Sequence, residues 1–231
     1  MYMNILFNGG AVWGFCEYIG ALQYIRDHNL EFDRVYAISA GGAIAALYVL
    51  DFEIDEILAW WNTTLSQTKL NSSLTENHLI GSKFITRNPD AYKIASGRLF
   101  VGITGIDGFF WKSEFTSNED LGNALICGGT IPLFSSYDAV CNEQMAFDGG
   151  IGLSPNDVPE NTRIITSTAS FPISVIPPSP SIKHTLYALG YYNMRNVSYE
   201  IQCMNIHPDI VKILFIIQQF QPKQYGIADL I

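Results

Sequence analysis

Ala37-Ile38-Ser39-Ala40-Gly41-Gly42 follows the apolar segment Arg34-Val35-Tyr36 and runs directly into Ala43-Ile44-Ala45-Ala46-Leu47. A strand-like run, one serine among small residues and then a helix-like run make the layout of a nucleophile elbow. Such a turn is strained and leaves its hydroxyl exposed at the carboxyl end of a strand, over a helix amino terminus. Small neighbours are needed because strand and helix cross closely there. The stretch predicts a serine hydrolase.

Length and composition are consistent with that expectation. The chain has 231 residues, which suits a single α/β domain over 1–231. It is 48% apolar and 15% charged, with mean hydropathy +0.15, so a sizeable core is expected and an interfacial apolar patch is allowed. A net charge of −9 argues against nucleic acid and against electrostatic docking on anionic lipid. Any contact with a membrane must therefore be mainly apolar. Cys16, Cys127, Cys141 and Cys203 form no CxxC pair and read as buried free thiols of a reducing compartment. His28, His78, His184 and His207 are dispersed, so neither a metal site nor a cofactor is expected. The start, Met1 to Phe7, lacks a basic n-region and a long h-region. With no span expected either, the predicted location is cytoplasmic, with peripheral contact to membranes.

Along the chain, Asn4 to Phe7 reads as a strand ending in the turn Asn8-Gly9-Gly10. Phe15, Ile19, Leu22 and Ile25 set a helical stripe over Phe15 to Asp27. A second strand over Asp33 to Ile38 and a helix over Ala40 to Leu50 follow. This β-turn-α-β-elbow-α opening predicts a parallel sheet. Glu53 to Trp61 reads as an amphipathic helix, and Leu99 to Thr104 and Phe109 to Trp111 as a hairpin about Gly105-Ile106-Asp107-Gly108. Thr116 to Cys127 reads as a helix capped by Ser117. Gln144 to Phe147 leads into Asp148-Gly149-Gly150, and Arg163 to Thr168 is strand-like. A proline-rich stretch from Phe171 and a helical tail with an apolar run over Ile210 to Phe220 complete the chain.

A serine hydroxyl is a weak nucleophile until a base takes its proton, and an acyl intermediate needs donors for its oxyanion. Gly9, Gly10 and Ala11 end a strand and open a helix, so their amides are candidates for those donors, with the helix's positive end behind them. Two arrangements can activate Ser39. The order Ser39, Asp148, then His184 or His207 fits an α/β-hydrolase, but that fold places several strands before its nucleophile and here one precedes it. The alternative is a Ser–Asp dyad in which Asp148 contacts Ser39 directly. Gly149 and Gly150 allow that close approach, and burial beside Met145-Ala146-Phe147 is expected to raise the basicity of Asp148.

Gly9 to Gly14, Ala37 to Gly41 and Asp148 to Gly150 occur in this order, and the set resembles patatin-like phospholipases. Those carry a glycine-rich oxyanion loop, a G-x-S-x-G elbow and a D-G-G or D-G-A acid motif. Leu99 to Gly150 is similar to the animal adiponutrin and adipose triglyceride lipase group, through the hairpin, Ala124-Leu125-Ile126-Cys127 and Ile131-Pro132-Leu133-Phe134. The resemblance implies a three-layer α/β/α domain with a mainly parallel sheet. It also implies acyl-ester hydrolysis on phospholipids or acylglycerols at a membrane or droplet surface, with Ser39 as nucleophile, Asp148 as base and no metal or cofactor.

The chain departs from the pattern in places. Ala37 stands where the elbow's first glycine is usual, and the added methyl is expected to be tolerated. Ala11 replaces a loop glycine, which leaves its amide usable if its φ is negative. Asn8 replaces an aspartate and receives no catalytic role. Trp13, apolar as in the animal branch, and Phe15 line an acyl pocket or pack in the core; Trp60 and Trp61 face a bilayer or are buried. Three competing readings remain: a helix-capping Ser39 with a turn-forming Asp148, an inactive lipid-binding scaffold, and an acyltransferase using the same acyl-serine.

Overall fold

The computed structural model describes residues 3–67, 81–132, 140–168, 178–194, 209–210 and 212–214. Cys203, His78, His207, residues 133–134, residues 171–177 of the proline-rich stretch and most of the apolar tail lie outside them.

Asn4–Phe7 is β1, Ala11–Asp27 is α1, Arg34–Ala37 is β2 and Gly41–Val49 is α2. β1 and β2 run parallel, with Asn4 opposite Arg34 and Phe7 opposite Ala37, so the expected opening is the observed one. α1 starts at Ala11 rather than Phe15. α3, Ile54–Gln67, carries Asp55 and Glu56 in its first turn, where the helix dipole favours acids, and it runs past the expected end at Trp61. After the short α4, Ala91–Ala95, come β3, Leu99–Gly105, and β4, Gly108–Lys112. These two form the expected hairpin, antiparallel with Gly105 opposite Gly108. α5, Asn118–Gly128, is capped by Ser117, whose hydroxyl accepts the Asp120 amide at 3.1 Å. β5, Val140–Cys141, and β6, Gln144–Met145, turn about Asn142 and Glu143, both at positive φ. β7, Phe147–Asp148, β8, Thr162–Ile165, and α6, Pro180–Asn193, follow. β8 ends before the expected Thr168.

The sheet order is β4-β3-β2-β1-β8, with β7 also paired to β3. β3, β2, β1 and β8 are mutually parallel, whereas β4 and β7 are antiparallel to β3. The fold is thus α/β with a mixed, mostly parallel sheet. β2 pairs with β3 only as far as Val101. β4 occupies the other edge of β3 from Val101 to Gly105. β7 pairs with Ile103 and Thr104, so it must lie on the edge β2 has vacated, in line with the end of β2.

Side-chain alternation divides the core between the two faces. Ile5, Phe7, Val35, Ala37, Leu99 and Val101 join the large cluster with α1, α2, α3 and α5. Leu6, Tyr36, Ile38 and Ile164 face the other way, against Leu153, Phe109 and Trp111. Short 3-10 turns over Gly149–Ile151 and Pro155–Asp157 flank Leu153. α6 packs tightly on α1, because a Cβ on Gly20 or Gly190 would overlap the backbone of the facing helix.

α2 crosses β1 so closely that a Cβ on Gly41 would overlap the Phe7 carbonyl. Gly41→Ala is therefore expected to lower stability by about 1–3 kcal/mol in urea unfolding. Wild-type stability in that variant would contradict the crossing.

Candidate active site

The elbow has the strain its sequence implies. β2 ends at Ala37, Ile38 still donates its amide to Phe7 at 2.9 Å, and α2 begins at Gly41. Between them Ser39 has φ +55, a conformation that costs an L-residue roughly 1–2 kcal/mol. Gly41 and Gly42 close the turn by donating to the carbonyls of Ile38 and Ser39 at 2.9 and 2.8 Å. Ala37 is fully buried in register between Phe7 and Val101. The tight crossing falls at Gly41, which explains why a methyl at position 37 is accommodated.

Asp148 reaches the serine through the sheet. It sits opposite Ile103 on β7, beside the end of β2, and its amide donates to Thr130 at 2.8 Å. The carboxyl, on a residue only 5% exposed, accepts the Gly150 amide at 2.8 Å and feels the nearby Ser39 hydroxyl, which lowers its pKa. Burial pushes its pKa up to about 6, and the Ser39 hydroxyl and Gly150 amide hold it from rising further. A Cβ on Gly149 would overlap the Gly102 backbone, so the acid motif fits the sheet only with glycine there. The Cβ position of Gly150 lies 3.2 Å from the Asp148 carboxyl.

The structure therefore brings Ser39 and Asp148 to the same end of the sheet, near enough for the serine to lower the carboxyl's pKa. Of the described imidazoles, His184 is exposed on α6 and His28 is stacked on Tyr24 at the end of α1. Cys16, Cys127 and Cys141 are buried free thiols. Among the described residues no three of His, Cys, Asp and Glu are grouped to hold a metal ion, and no described helix is long and apolar enough to cross a membrane.

Gly9, Gly10 and Ala11 link β1 to the amino terminus of α1. A Cβ on Gly9 would lie 3.6 Å from the Ser39 Cβ, so this loop borders the serine. Gly10 has φ +152 and abuts Ser167. Ala11 has φ +47, so the condition on which its amide was expected to be usable is not met, and a left-handed alanine opens the helix. Phe15 is buried and stacks on Trp61 at 4.2 Å. It therefore joins the core with Trp60 and Trp61, while Trp13 is half-buried beside it.

Four residues of this region escaped the sequence reading. Thr104 donates its hydroxyl to the Asp148 carbonyl at 2.9 Å and accepts the Gly152 amide at 3.0 Å, fixing the acid turn. Thr130 supplies the carbonyl under Asp148. Tyr18 bonds to the carbonyls of Asn8 and Gly9, and Glu17 to Ser167 and Thr168. No sequence signal marks them, since their partners lie far away along the chain or look like ordinary helix and strand positions.

The raised pKa of Asp148 has a consequence for stability. The unfolded carboxyl ionises near its ordinary value of 3.8 and the folded one near 6. Its contribution is therefore full below about pH 4 and is lost as pH rises through about 6. At neutral pH the buried charge opposes folding, so Asp148→Asn is expected to be more stable than wild type by up to about 3 kcal/mol. The gain should vanish below about pH 4. Denaturant unfolding at both pH values checks this, and a variant less stable at neutral pH would contradict it.

Residues 5–115 match the sequence model of the family described as patatin-like phospholipase. The omega-hydroxyceramide transacylase of Homo sapiens is 33% identical over 145 residues, covering 57% of this chain and 27% of that protein. The omega-hydroxyceramide transacylase of Mus musculus is 28% identical over 246 residues, covering 97% of this chain and 40% of that protein. The chain thus spans well under half the length of these relatives. The matched stretch runs from β1 through β4 and is similar to that family, and Asp148, beyond it, joins it through the β3–β7 pairing.

Proposed function

We propose that this chain is a lipid acyl hydrolase working through Ser39 and Asp148. The observation that carries the reading is a strained serine whose hydroxyl lies near a buried carboxyl with a pKa near 6. That basicity suits a base at neutral pH far better than a free aspartate does. Asp148 takes the Ser39 proton as the oxygen attacks an ester carbonyl. The amides of Gly9 and Gly10, at the positive end of α1, receive the oxyanion; Ala11, at positive φ, does not meet the condition set for its amide. Asp148 then protonates the departing alcohol and leaves an acyl-serine. A water, losing its proton to Asp148, releases the fatty acid and restores Ser39.

The similarity of residues 5–115 to patatin-like phospholipases supports a lipid ester, phospholipid or acylglycerol, as substrate. The apolar, acidic composition supports apolar contact with a membrane or droplet surface by one domain over residues 1–231. Of the two departures behind the inactive-scaffold reading, Ala37 is accommodated by the sheet, while Ala11 keeps a positive φ.

A second reading has an observation of its own. Both relatives are named transacylases, and the same acyl-serine can pass its acyl group to a lipid alcohol instead of water. Product analysis with a long-chain alcohol present separates the two. Free fatty acid in constant yield supports hydrolysis, and alcohol-dependent ester formation supports transfer.

Ser39→Ala is expected to abolish both ester cleavage and labelling by a fluorophosphonate probe; surviving activity would assign the nucleophile elsewhere. The rate should fall on the acid side with a midpoint near pH 6, because Asp148 must be ionised to act. An imidazole also titrates near there, so His184→Ala is the control. A midpoint that moves with that substitution would contradict the dyad.

A further inference from the structure

We infer that Tyr18 and Glu17 form a brace that aims the Gly9 and Gly10 amides at the reacting carbonyl, an inference that rests on the proposed use of this loop as the oxyanion site. Tyr18 is fully buried on α1. Its hydroxyl lies 2.6 Å from the Asn8 carbonyl oxygen and 2.6 Å from that of Gly9, and it accepts the Ser167 amide at 3.1 Å. Burial holds the phenol protonated, so its single proton is shared between the two carbonyls.

In a planar trans peptide the C=O and the following N–H point in opposite directions. Drawing the Asn8 and Gly9 carbonyls inward onto Tyr18 therefore turns the Gly9 and Gly10 N–H groups outward, away from the core. The outward side is the side of Ser39, since Gly9 borders that residue. Without the phenol, two peptide planes between a strand and a helix would be free to rotate, because both residues after Asn8 are glycines.

Glu17 secures the other half of the brace. It is only 2% exposed, and its carboxyl accepts the Ser167 hydroxyl at 3.3 Å, the Thr168 amide at 2.9 Å and the Thr168 hydroxyl at 2.6 Å. These bonds draw the chain beyond β8 across the first turns of α1. Ser167 then presents its amide to Tyr18 and packs its side chain against Gly10 and Gly14. A buried carboxyl is a costly way to join a strand end to a helix when an aliphatic pair would serve. Its three partners among the described residues lie on Ser167 and Thr168, the residues that contact the loop and its phenol, which accounts for a carboxyl at this position. The two residues act through the loop and are positioning residues.

The test compares ordinary esters with thiono esters, whose sulfur accepts hydrogen bonds poorly and gains little from aligned amides. Tyr18→Phe keeps the ring and its edge contact with Phe7 but removes the hydroxyl. It is expected to lower kcat on the ordinary ester roughly tenfold to a hundredfold with little change in KM. The ratio of ordinary to thiono rates should fall with it, a shift that general loosening of the fold would not produce. Glu17→Leu should act the same way, and Glu17→Gln, which keeps an acceptor, should recover part of the rate. A folded Tyr18→Phe with wild-type kcat and an unchanged ratio would overturn the brace. If Tyr18→Phe does not fold, the same readouts on Glu17→Gln and Glu17→Leu decide it, and unchanged ratios in both overturn it. Ser39→Ala, assayed alongside, separates the failures: if it still cleaves ester, the proposed chemistry is wrong, whatever the brace variants do.

Discussion

β3 continues beyond the last residue that β2 pairs with it, and the edge left open is taken by Phe147 and Asp148. Everything proposed for the site depends on this offset. It sets a carboxylate from late in the chain beside the turn that ends β2, and that turn holds Ser39 in a left-handed conformation. Neither feature is favourable alone. The serine's backbone is strained, and the aspartate is buried, its carboxyl taking the Gly150 amide and feeling the Ser39 hydroxyl. Packing around them keeps both in place: the register of Phe7, Ala37 and Val101, the crossing of α2 at Gly41, and Thr104 beneath the acid turn.

Much of this was legible in the sequence because it is local. The elbow announces itself through small residues between an apolar strand and an apolar helix. The glycine pair at 9 and 10, the hairpin about Ile106 and Asp107, and the Ser117 cap on Asp120 all depend on neighbours a few residues apart. Asp148 was found through the glycines after it, and one of them, Gly149, proves sterically necessary against Gly102.

What stayed hidden is non-local. Glu17 reads as an ordinary polar position of an amphipathic helix, and only the return of the chain after β8 supplies its partners. Tyr18 reads as core, and only the curl of the loop onto its own helix brings two carbonyls to its hydroxyl. Thr104 is one strand residue among many until β7 arrives beside it. The conformation of Ala11, which the sequence leaves open, is settled by a related contact. Gly10, its neighbour, fits closely against Ser167 and Gly14, and the backbone after it is left-handed despite the alanine. The same non-local contact shortens β8, since residues beyond Ile165 turn away to meet Glu17 and Tyr18.

The most direct test of the central claim is a titration of the Asp148 carboxyl by difference infrared spectroscopy, wild type against Asp148→Asn, repeated in a Ser39→Ala background. The contact between hydroxyl and carboxyl requires a wild-type midpoint near 6 that moves higher once the serine's hydrogen bond is gone. A midpoint at the ordinary carboxylate value, unmoved by loss of Ser39, would show that the two groups do not meet.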